Sequence, residues 1–341
     1  MANEPDRRDR SAHPVTMRDV ARVAGVSVAT VSHVVNDKAG ARIGAAARER
    51  VRQAIDELGY RPNMLAKNLV RGRSRFIGLV ADAIATTPFA GQIIQGAQKE
   101  AWKHGFVLLV ANTEGDREAE DEAIAMMLEH QVRGILYSTW YHRAVDTPAA
   151  LGETTAVLVD CYSADGQFPA VVPDEVGGGR TATELLLAAG HRRIAFVNAA
   201  EPSPAQEGRL RGYREALADA GIAFDDELVL AVHDEQDGGY EAGRTVLQRG
   251  ATAVFCYNDR IAMGLYDRLR EPGVSLPGEL AVVGFDNQEI IAAHLRPPLS
   301  TVALPHYELG AAGVRVLLGL EEVPDGEPLL VACPPVSRQS V

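Results

Sequence analysis

The hydrophobic pattern along the chain first becomes regular at residues 16–36, which read TMRDVARVAGVSVATVSHVVN. After Thr16, which is a good helix cap, apolar residues recur at helical spacing through Val20–Ala24. Gly25 then permits the left-handed backbone of a tight turn, and Ser27 is suited to cap a second helix. The pattern therefore predicts two short helices joined by a glycine turn.

The second helix is predicted to bury its valines and to present a face of small and polar side chains. A third helix over residues 45–58, followed by Gly59 as a C-terminal stop, completes a unit that can bury a small core. Such a unit is typical of a helix-turn-helix reader of the DNA major groove. The alternative is an ordinary helical hairpin whose outward face meets only water. The outward residues are Val28, Ala29, Thr30, Ser32 and His33.

The distribution of charge favours the DNA-binding interpretation. Residues 1–75 contain 15 Lys and Arg against 8 Asp and Glu, whereas residues 76–341 contain 19 against 38. The whole chain carries a formal charge of −12, so a basic N-terminal segment precedes an acidic remainder. A module that binds phosphates needs such local positive charge.

From Phe76 onward, short apolar runs alternate with amphipathic helices. This alternation is typical of parallel, doubly wound sheets, and it occurs in two sets, one before and one after Asp174. Two sets predict two α/β lobes with a ligand site between them, at the carboxyl ends of the strands. The tail, with a strand at residues 300–304 and a helix to Leu318, is expected to return to the first lobe.

The predicted fold class is therefore α/β, with an all-α three-helix headpiece followed by two doubly wound parallel-sheet lobes. No apolar run is long enough to span a membrane. The expected domains are a disordered arm at 1–14, a helix-turn-helix domain at 15–60, a hinge helix or linker at 61–75, and a two-lobed effector-binding and dimerisation domain at 76–341.

The headpiece resembles that of the lactose and galactose repressor family of bacterial transcription regulators, through the run DVARVAGVSVATVSHVVN. The remainder is similar to that family's regulatory core and to periplasmic sugar-binding proteins, so the resemblance covers nearly the whole chain. It implies a homodimeric repressor of a pseudo-palindromic operator, controlled by a small molecule that is expected to be a sugar or sugar derivative. The further matching stretches are Gly190–Ile194, Asn258–Asp259, Val283–Asp286 and Pro298–Thr301.

Contacts to DNA are predicted along the second helix. The methyl groups of Val28 and Ala29 suit thymine methyls, whereas His33 can hydrogen-bond a guanine or reach a phosphate. The other headpiece residues expected at the DNA are Thr16, Ser27, Thr30, Ser32 and Asn36.

The segment after the headpiece is interpreted as a hinge. Asn63 can cap a short helix there, and so short a helix is only marginally stable in water. The resemblance implies that this helix becomes ordered on the operator and inserts Leu69 into the minor groove, while Lys67 and Arg71 hold phosphates. The alternative is an ordinary solvated linker.

Polar residues near the ends of predicted strands are candidates for effector binding. Carboxylates accept hydrogen bonds from hydroxyls, Arg and Asn donate or bridge, and an aromatic ring covers the C–H face of a sugar. Each residue alone is more often a helix cap or a surface charge, and the resemblance favours binding most for Arg209 and Asp286. The candidates are Phe89, Ser138, Asp160, Asp174, Arg209, Asn258 and Asp286.

Several positions depart from the family pattern. Asp234 stands where many members have an aromatic residue, and Asp174-Glu175 replaces the usual Asp-Asn pair. An aromatic cluster, Trp140–His142, follows the third predicted strand and faces either the cleft or the lobe surface. These differences leave the particular sugar open.

Two other classes of protein compete with the regulator. Doubly wound lobes host many enzymes, yet the chain lacks G-x-x-x-x-G-K-S/T, H-E-x-x-H and G-x-S-x-G motifs, and its three cysteines fit no zinc spacing. The basic headpiece and an N-terminus without a signal-peptide core disfavour a stand-alone sugar-binding protein. We therefore expect no enzymatic activity, no cofactor, no metal, no membrane contact and a cytoplasmic location. Without a heptad tail near Val341, a dimer is expected rather than a tetramer.

Replacing His33 should separate base reading from phosphate binding. We expect His33→Ala to relax base preference at one operator position, because the imidazole no longer reaches a base edge. Lys67→Ala or Arg71→Ala should instead weaken binding to all sequences, because these cations neutralise phosphates. Binding-site selection from random duplexes measures both effects, and an unchanged motif for His33→Ala would contradict the assignment.

Overall fold

A computed structural model of the chain contains two compact units, Met1–Arg73 and Ser74–Val341. Within the part of the chain that it describes, no helix is both long and apolar enough to cross a membrane. The described residues are 15–36, 43–60, 74–84, 87 and 90–341.

The first unit contains the three predicted helices. They are α1 (Met17–Ala24), α2 (Val28–Val35) and α3 (Ala45–Leu58). Gly25 follows α1 with a φ of 62° and Gly59 follows α3 with a φ of 61°, which is the left-handed conformation that favours glycine at a helix end. Val20, Val31 and Val51 come one from each helix and are fully buried, so the small core forms where the pattern places it.

The second unit begins with alternating strands and helices, as predicted. Its third strand extends well past the apolar run that ends at Tyr137, and its pairing with the next strand shifts register between Ser138 and Arg143. The aromatic cluster Trp140–His142 therefore lies within a strand and not after one. The elements are β1 (Phe76–Ala81), α4 (Gly91–Lys103), β2 (Val107–Asn112), α5 (Arg117–Glu129), β3 (Ile135–Val145), β4 (Ala156–Ser163) and β5 (Ala170–Pro173).

A second alternating set follows β5 and forms the second lobe. It begins with helix α6, which is capped by Asp174. The elements are α6 (Glu175–Ala188), β6 (Ile194–Ala199), α7 (Pro204–Asp219), β7 (Val229–Val232), α8 (Gln236–Gln248), β8 (Ala253–Cys256), α9 (Asp259–Arg270), β9 (Ala281–Asp286), α10 (Glu289–Ala292) and β10 (Ser300–Ala303).

The tail crosses between the two lobes. Helix α11 (His306–Leu317) and strand β11 (Leu329–Val331) return to the first lobe, where β11 pairs with β5. The strand at 300–303 does not return, contrary to expectation: it pairs in parallel with β9, because its buried residues complete the second sheet. Strand β12 (Pro335–Val336) then pairs antiparallel with β10.

Two six-stranded sheets result, and they confirm the predicted two-lobed α/β fold. Within the described part of the chain, every strand pair is parallel except β10 with β12, so the carboxyl ends of most strands in each sheet lie at one edge. The chain passes between lobes after β5, after β10 and between β11 and β12. The strand orders are β11-β5-β4-β3-β1-β2 and β12-β10-β9-β8-β6-β7.

The packing of α4 against α11 gives a test of the fold. An added Cβ at Gly310 would lie 2.0 Å from the carbonyl oxygen of Ile93, so the two helix backbones touch. Helix propensity alone would make Gly→Ala stabilising by about 0.5–1 kcal/mol. We expect Gly310→Ala instead to lower the free energy of unfolding by about 1–3 kcal/mol, because a backbone cannot yield as a side chain does. Urea denaturation measures the change.

The matched control is Gly152→Ala, whose added Cβ would meet no atom within 4 Å. It should leave the free energy of unfolding within about 0.5 kcal/mol of the parent. Equal stability of the two variants would show that α4 and α11 do not pack this closely.

Candidate functional site in the recognition helix and the cleft

The start of α2 presents the side chains predicted to meet DNA bases. Val28 is 43% exposed and Ala29 is also exposed, so both methyl-bearing side chains are accessible. His33 lies one turn further on and is half-buried. Ser32 is half-buried as well. This surface has the size and the outward chemistry that direct readout in a major groove requires.

Three of the predicted DNA-contact residues serve the helices themselves. The Thr16 hydroxyl and the Asp19 carboxylate form a reciprocal capping box at α1. The Ser27 hydroxyl accepts a hydrogen bond from the Thr30 backbone N–H at 3.1 Å, and the Asn36 side chain donates to the Ser32 carbonyl at 2.9 Å. A capping role leaves Thr16 and Ser27 exposed at helix N-termini, where phosphates bind favourably.

Some predicted residues lie outside the part of the chain that the structure describes. These are the hinge residues Asn63, Lys67, Leu69 and Arg71, and the cleft candidate Phe89.

The second unit contains a cleft of about 460 Å³ between its two lobes. Four predicted effector residues line it together: Asp160 from the first lobe, and Arg209, Asn258 and Asp286 from the second. They converge because parallel strands end at the same edge of each sheet, and the two edges face one another across the crossovers. The other polar or aromatic lining residues are Trp140, Tyr141, His142, Glu175, Glu201, Ser203, Asp234, Tyr257, Arg260 and His306.

Two predicted residues do not line this cleft. Ser138 is 1% exposed, and its hydroxyl donates to the Val159 carbonyl at 2.8 Å within the sheet. Asp174 accepts a hydrogen bond from the Gly177 N–H at 2.8 Å as the cap of α6. Its neighbour Glu175 faces the cleft in its place. The turn that the sequence identified therefore reaches this cleft through Glu175, because Asp174 is engaged in capping α6.

Arg209 is the centre of the cleft. It is 2% exposed, and its Nε donates to Glu175 Oε2 at 2.8 Å while an Nη atom lies 3.7 Å from Asp286 Oδ1. Its guanidinium carbon stands 3.7 Å from the centre of the Phe285 ring and 4.4 Å from that of Tyr257. Stacking and ion pairing together fix the plane of the guanidinium, which suits an arginine more than any other cation.

Burial and neighbouring charges have opposite effects on the pKa values of Arg209 and Glu175. Burial alone would lower the pKa of Arg209, but Glu175, Tyr257 and Asp286 raise it above its ordinary value. Burial alone would raise the pKa of Glu175, but Arg209 and His142 lower it below its ordinary value. Both groups are therefore charged at neutral pH, and the His142 ring nitrogen Nδ1 lies 3.6 Å from Glu175 Oε1.

Two aspartates of the cleft, Asp160 within β4 and Asp286 at the end of β9, differ from Glu175 because their pKa values are raised. Asp160 has a φ of 59° and Asp286 a φ of 97°, conformations that non-glycine residues rarely adopt and that often occur at functional sites. Burial raises the pKa of Asp286 to about 6, against the opposing effect of Arg209. Burial also raises the pKa of Asp160 well above its usual range, and Glu175 and Asp82 raise it further.

Two other cleft residues, Asn258 and His306, are positioned by the helices at whose N-termini they lie. Asn258 caps α9 through a hydrogen bond from the Ile261 N–H at 2.8 Å, and its amide donates to the Asp234 carbonyl at 2.8 Å. His306 opens α11 and is 3% exposed, and burial lowers its pKa to about 4, so it is neutral at pH 7. Glu175, Tyr257, Arg260 and His306 also line the cleft but were not predicted, since in the sequence only their places at strand ends and helix starts indicate this.

Known proteins match the chain along most of its length. The family model for bacterial regulatory proteins, lacI family, matches residues 16–63, and that for a periplasmic binding protein-like domain matches residues 183–341. The HTH-type transcriptional repressor PurR of Vibrio campbellii is 33% identical over 316 residues, covering 92% of this chain and 93% of its own. The ribose operon repressor of Escherichia coli is 32% identical over 307 residues, covering 89% and 92%. The structure of the Lac repressor dimer bound to operator and the anti-inducer ONPF has a TM-score of 0.76 at 27% identity, covering 96% of this chain and 99% of that chain.

A helix-turn-helix unit followed by a two-lobed α/β unit with a polar cleft defines a ligand-controlled, DNA-binding transcription regulator. The matched models and relatives identify the family. The chain belongs to the lacI family of bacterial regulatory proteins, as its sequence indicated. These relatives are transcriptional repressors, which confirms that the chain is not an enzyme.

The buried ion pair between Arg209 and Glu175 should make a large contribution to stability. We expect Arg209→Ala to lower the free energy of unfolding by about 3 kcal/mol or more, because it leaves Glu175 buried without its cation. Arg209→Met combined with Glu175→Gln should be less destabilising than Arg209→Ala alone. Denaturant unfolding of the free protein measures both.

Arg180 provides the matched control, since it also joins α6 to α7, through Glu215 and Asp219, but its side chain is 34% exposed. Arg180→Ala should cost no more than about 1 kcal/mol, because exposed ion pairs are weak. A similar loss for Arg180→Ala and Arg209→Ala would rule out a special role for the buried pair.

The raised pKa of Asp286 predicts a pH dependence of stability. Its folded-state pKa of about 6 lies above the ordinary value of 3.8, so the folded protein keeps a proton that the unfolded chain loses in this window. The contribution of Asp286 to the free energy of unfolding is therefore most favourable below about pH 4, and it declines as the pH rises to about 6. Asp286→Asn should therefore gain stability relative to the parent by on the order of 2 kcal/mol across this range. Parallel stability profiles of parent and variant would contradict the prediction.

Proposed function

We propose that the protein is a homodimeric repressor whose affinity for a pseudo-palindromic operator is controlled by a sugar or sugar derivative bound between the lobes. The observation that carries this proposal is the cleft, in which polar side chains from both lobes surround a fixed guanidinium. Because its target is chromosomal DNA, we place the protein in the cytoplasm. The domain boundaries at residues 14, 60 and 75 belong to the same proposal.

The headpiece supplies the DNA-binding half of this function. Val28 and Ala29 are accessible at the start of α2 and would contact thymine methyls, with His33 one turn on. Thr16 and Ser27 would add phosphate contacts at helix N-termini. The hinge contacts of Asn63, Lys67, Leu69 and Arg71 stay predictions. Two headpieces in a dimer would read two half-sites related by the dimer axis.

The chemistry of the cleft suits a polyhydroxylated ligand. Its volume of about 460 Å³ lies within the range of about 300–1,000 Å³ typical of small-molecule sites. Carboxylates of Asp160 and Asp286 accept hydrogen bonds from hydroxyls, and Arg209 donates to ring or hydroxyl oxygens. Trp140 and Tyr141, whose rings lie 4.7 Å apart, offer an aromatic surface for the C–H face of a sugar. The name of one relative, the ribose operon repressor, is consistent with a sugar ligand.

Control of the operator requires that the effector distinguish two arrangements of the lobes. A ligand that touches Asp160 of the first lobe and Arg209 of the second binds more tightly when the lobes lie at one particular angle. Only this unequal affinity shifts the population between arrangements. Because the chain crosses between the lobes three times, a change in their angle is a motion of two rigid bodies about these crossovers.

A thermal-shift screen of sugars, nucleosides and sugar phosphates tests the ligand half of the proposal. Tyr141→Ala should weaken the best ligand by about tenfold, because it removes an aromatic surface 40% exposed to the cleft. Tyr240→Ala removes a tyrosine that is 39% exposed outside the cleft, and it should leave affinity unchanged. Equal effects of the two variants would place the ligand elsewhere.

Binding-site selection from random duplexes tests the DNA half. The protein should enrich one pseudo-palindromic motif, and its affinity for that motif should fall steeply with salt as phosphate contacts are screened. The best ligand of the thermal screen should change that affinity. If no motif is enriched with or without ligand, the proposal of an operator-binding repressor fails.

A further inference from the structure

The side-chain carboxyl group of Asp160 has no hydrogen-bond or ion-pair partner among the described residues. Asp160 is 3% exposed and lines the cleft, yet no described residue donates a hydrogen bond or offers an ion pair to its side-chain oxygens. Only its backbone carbonyl is bonded, accepting from the Thr139 hydroxyl at 3.0 Å. Leaving a buried carboxylate without a partner is costly, so such groups ordinarily bind a ligand or occur paired.

The cations near Asp160 are engaged elsewhere. Arg143 pairs with Asp82 at 3.0 Å, and Arg209 pairs with Glu175. Arg260 pairs with Glu235 at 3.1 Å. Arg209 still lowers the pKa of Asp160, but burial, Glu175 and Asp82 raise it more, so the described cations do not offset the cost of ionising Asp160.

The cleft as a whole is acidic. Five carboxyl groups line it, whereas the lining guanidinium groups are those of Arg209 and Arg260; both pair with a carboxylate, and Arg260 Nε has no hydrogen-bond partner among the described residues. A ligand with a phosphate or carboxylate would meet more acidic than basic side chains here. A metal ion is not favoured either, since the described residues hold no group of three ligating side chains. Because the pKa of Asp160 is raised well above its usual range, a single organic cation in the cleft would favour the ionised form of this side chain.

We propose that the effector carries a protonated amine that pairs with Asp160, and that it is an amine-bearing polyol such as an amino sugar. This inference rests on the proposed effector site between the lobes and narrows the class of molecule that fills it. The ammonium donates to Asp160, while the hydroxyls of the same molecule reach Asp286 and Arg209 from the opposite lobe. The amine thus binds the first lobe and the polyol binds the second.

Matched ligands test this assignment in the full-length protein. The probes are glucose, glucosamine and N-acetylglucosamine, with the corresponding galactose and mannose series, measured by isothermal titration calorimetry. N-acetylation removes the charge and keeps the nitrogen. In at least one series the amine should bind about tenfold more tightly than the neutral hexose, because a hydrogen bond between two charged groups exceeds one to a hydroxyl.

Asp160→Asn tests whether Asp160 is responsible for the preference for an amine over a neutral hexose. It should bring the ratio of amine to neutral affinity close to one, whatever its effect on the affinity for a neutral hexose, because an asparagine side chain still hydrogen-bonds a hydroxyl but cannot form an ion pair with an ammonium. Asp121→Asn, which removes the same charge from an exposed position on α5, should preserve the ratio. Without ligand, Asp160→Asn should melt no lower than the parent, because it removes an unpaired buried carboxylate, so a loss of binding cannot be ascribed to unfolding.

The outcomes separate this inference from the proposed function. If neutral hexoses bind as tightly as their amines, or if Asp160→Asn preserves the preference, the amine assignment is wrong and the sugar site stands. If no sugar or amino sugar binds, both are overturned. If only phosphorylated sugars bind, the acidic cleft does not select its ligand as argued.

Discussion

The buried ion pair between Arg209 and Glu175 determines the arrangement of the cleft. It forms only because α6 and α7 approach very closely: an added Cβ at Gly212 would lie 2.1 Å from the Val176 carbonyl oxygen. That approach brings the first residue of α6 against the middle of α7. Two charges that would be prohibitively costly apart are tolerated together, and the guanidinium gains the faces of Phe285 and Tyr257.

The same pair lies where the two lobes meet. His142 belongs to β3 of the first lobe, and its ring nitrogen lies 3.6 Å from a Glu175 oxygen of the second. The shift in register of β3 brings His142 there, together with Trp140 and Tyr141. A ligand entering this cleft therefore meets side chains of both lobes at a point where the lobes already lie close together, which is where a small molecule has most influence on the angle between them.

The opposite charges of the two halves of the chain serve separate tasks. The basic segment before Phe76 attracts phosphate, whereas the acidic remainder repels it and confines DNA binding to the headpiece. The lining of the cleft continues this division, since it contains five carboxyl groups and two guanidinium groups.

Local signals in the sequence determined the headpiece, the alternation of strands and helices, and the family. Gly25, Gly59 and the buried valines act through neighbours within a few residues, so their pattern can be read directly. The composition of the cleft was decided by tertiary structure. Which of Asp174 and Glu175 lines the cleft depends on which one caps α6, and the Ser138 hydroxyl is bonded within the sheet to Val159 of the neighbouring strand β4. Glu175 and His306 are separated by more than a hundred residues, and only the crossings between lobes bring them to one cavity.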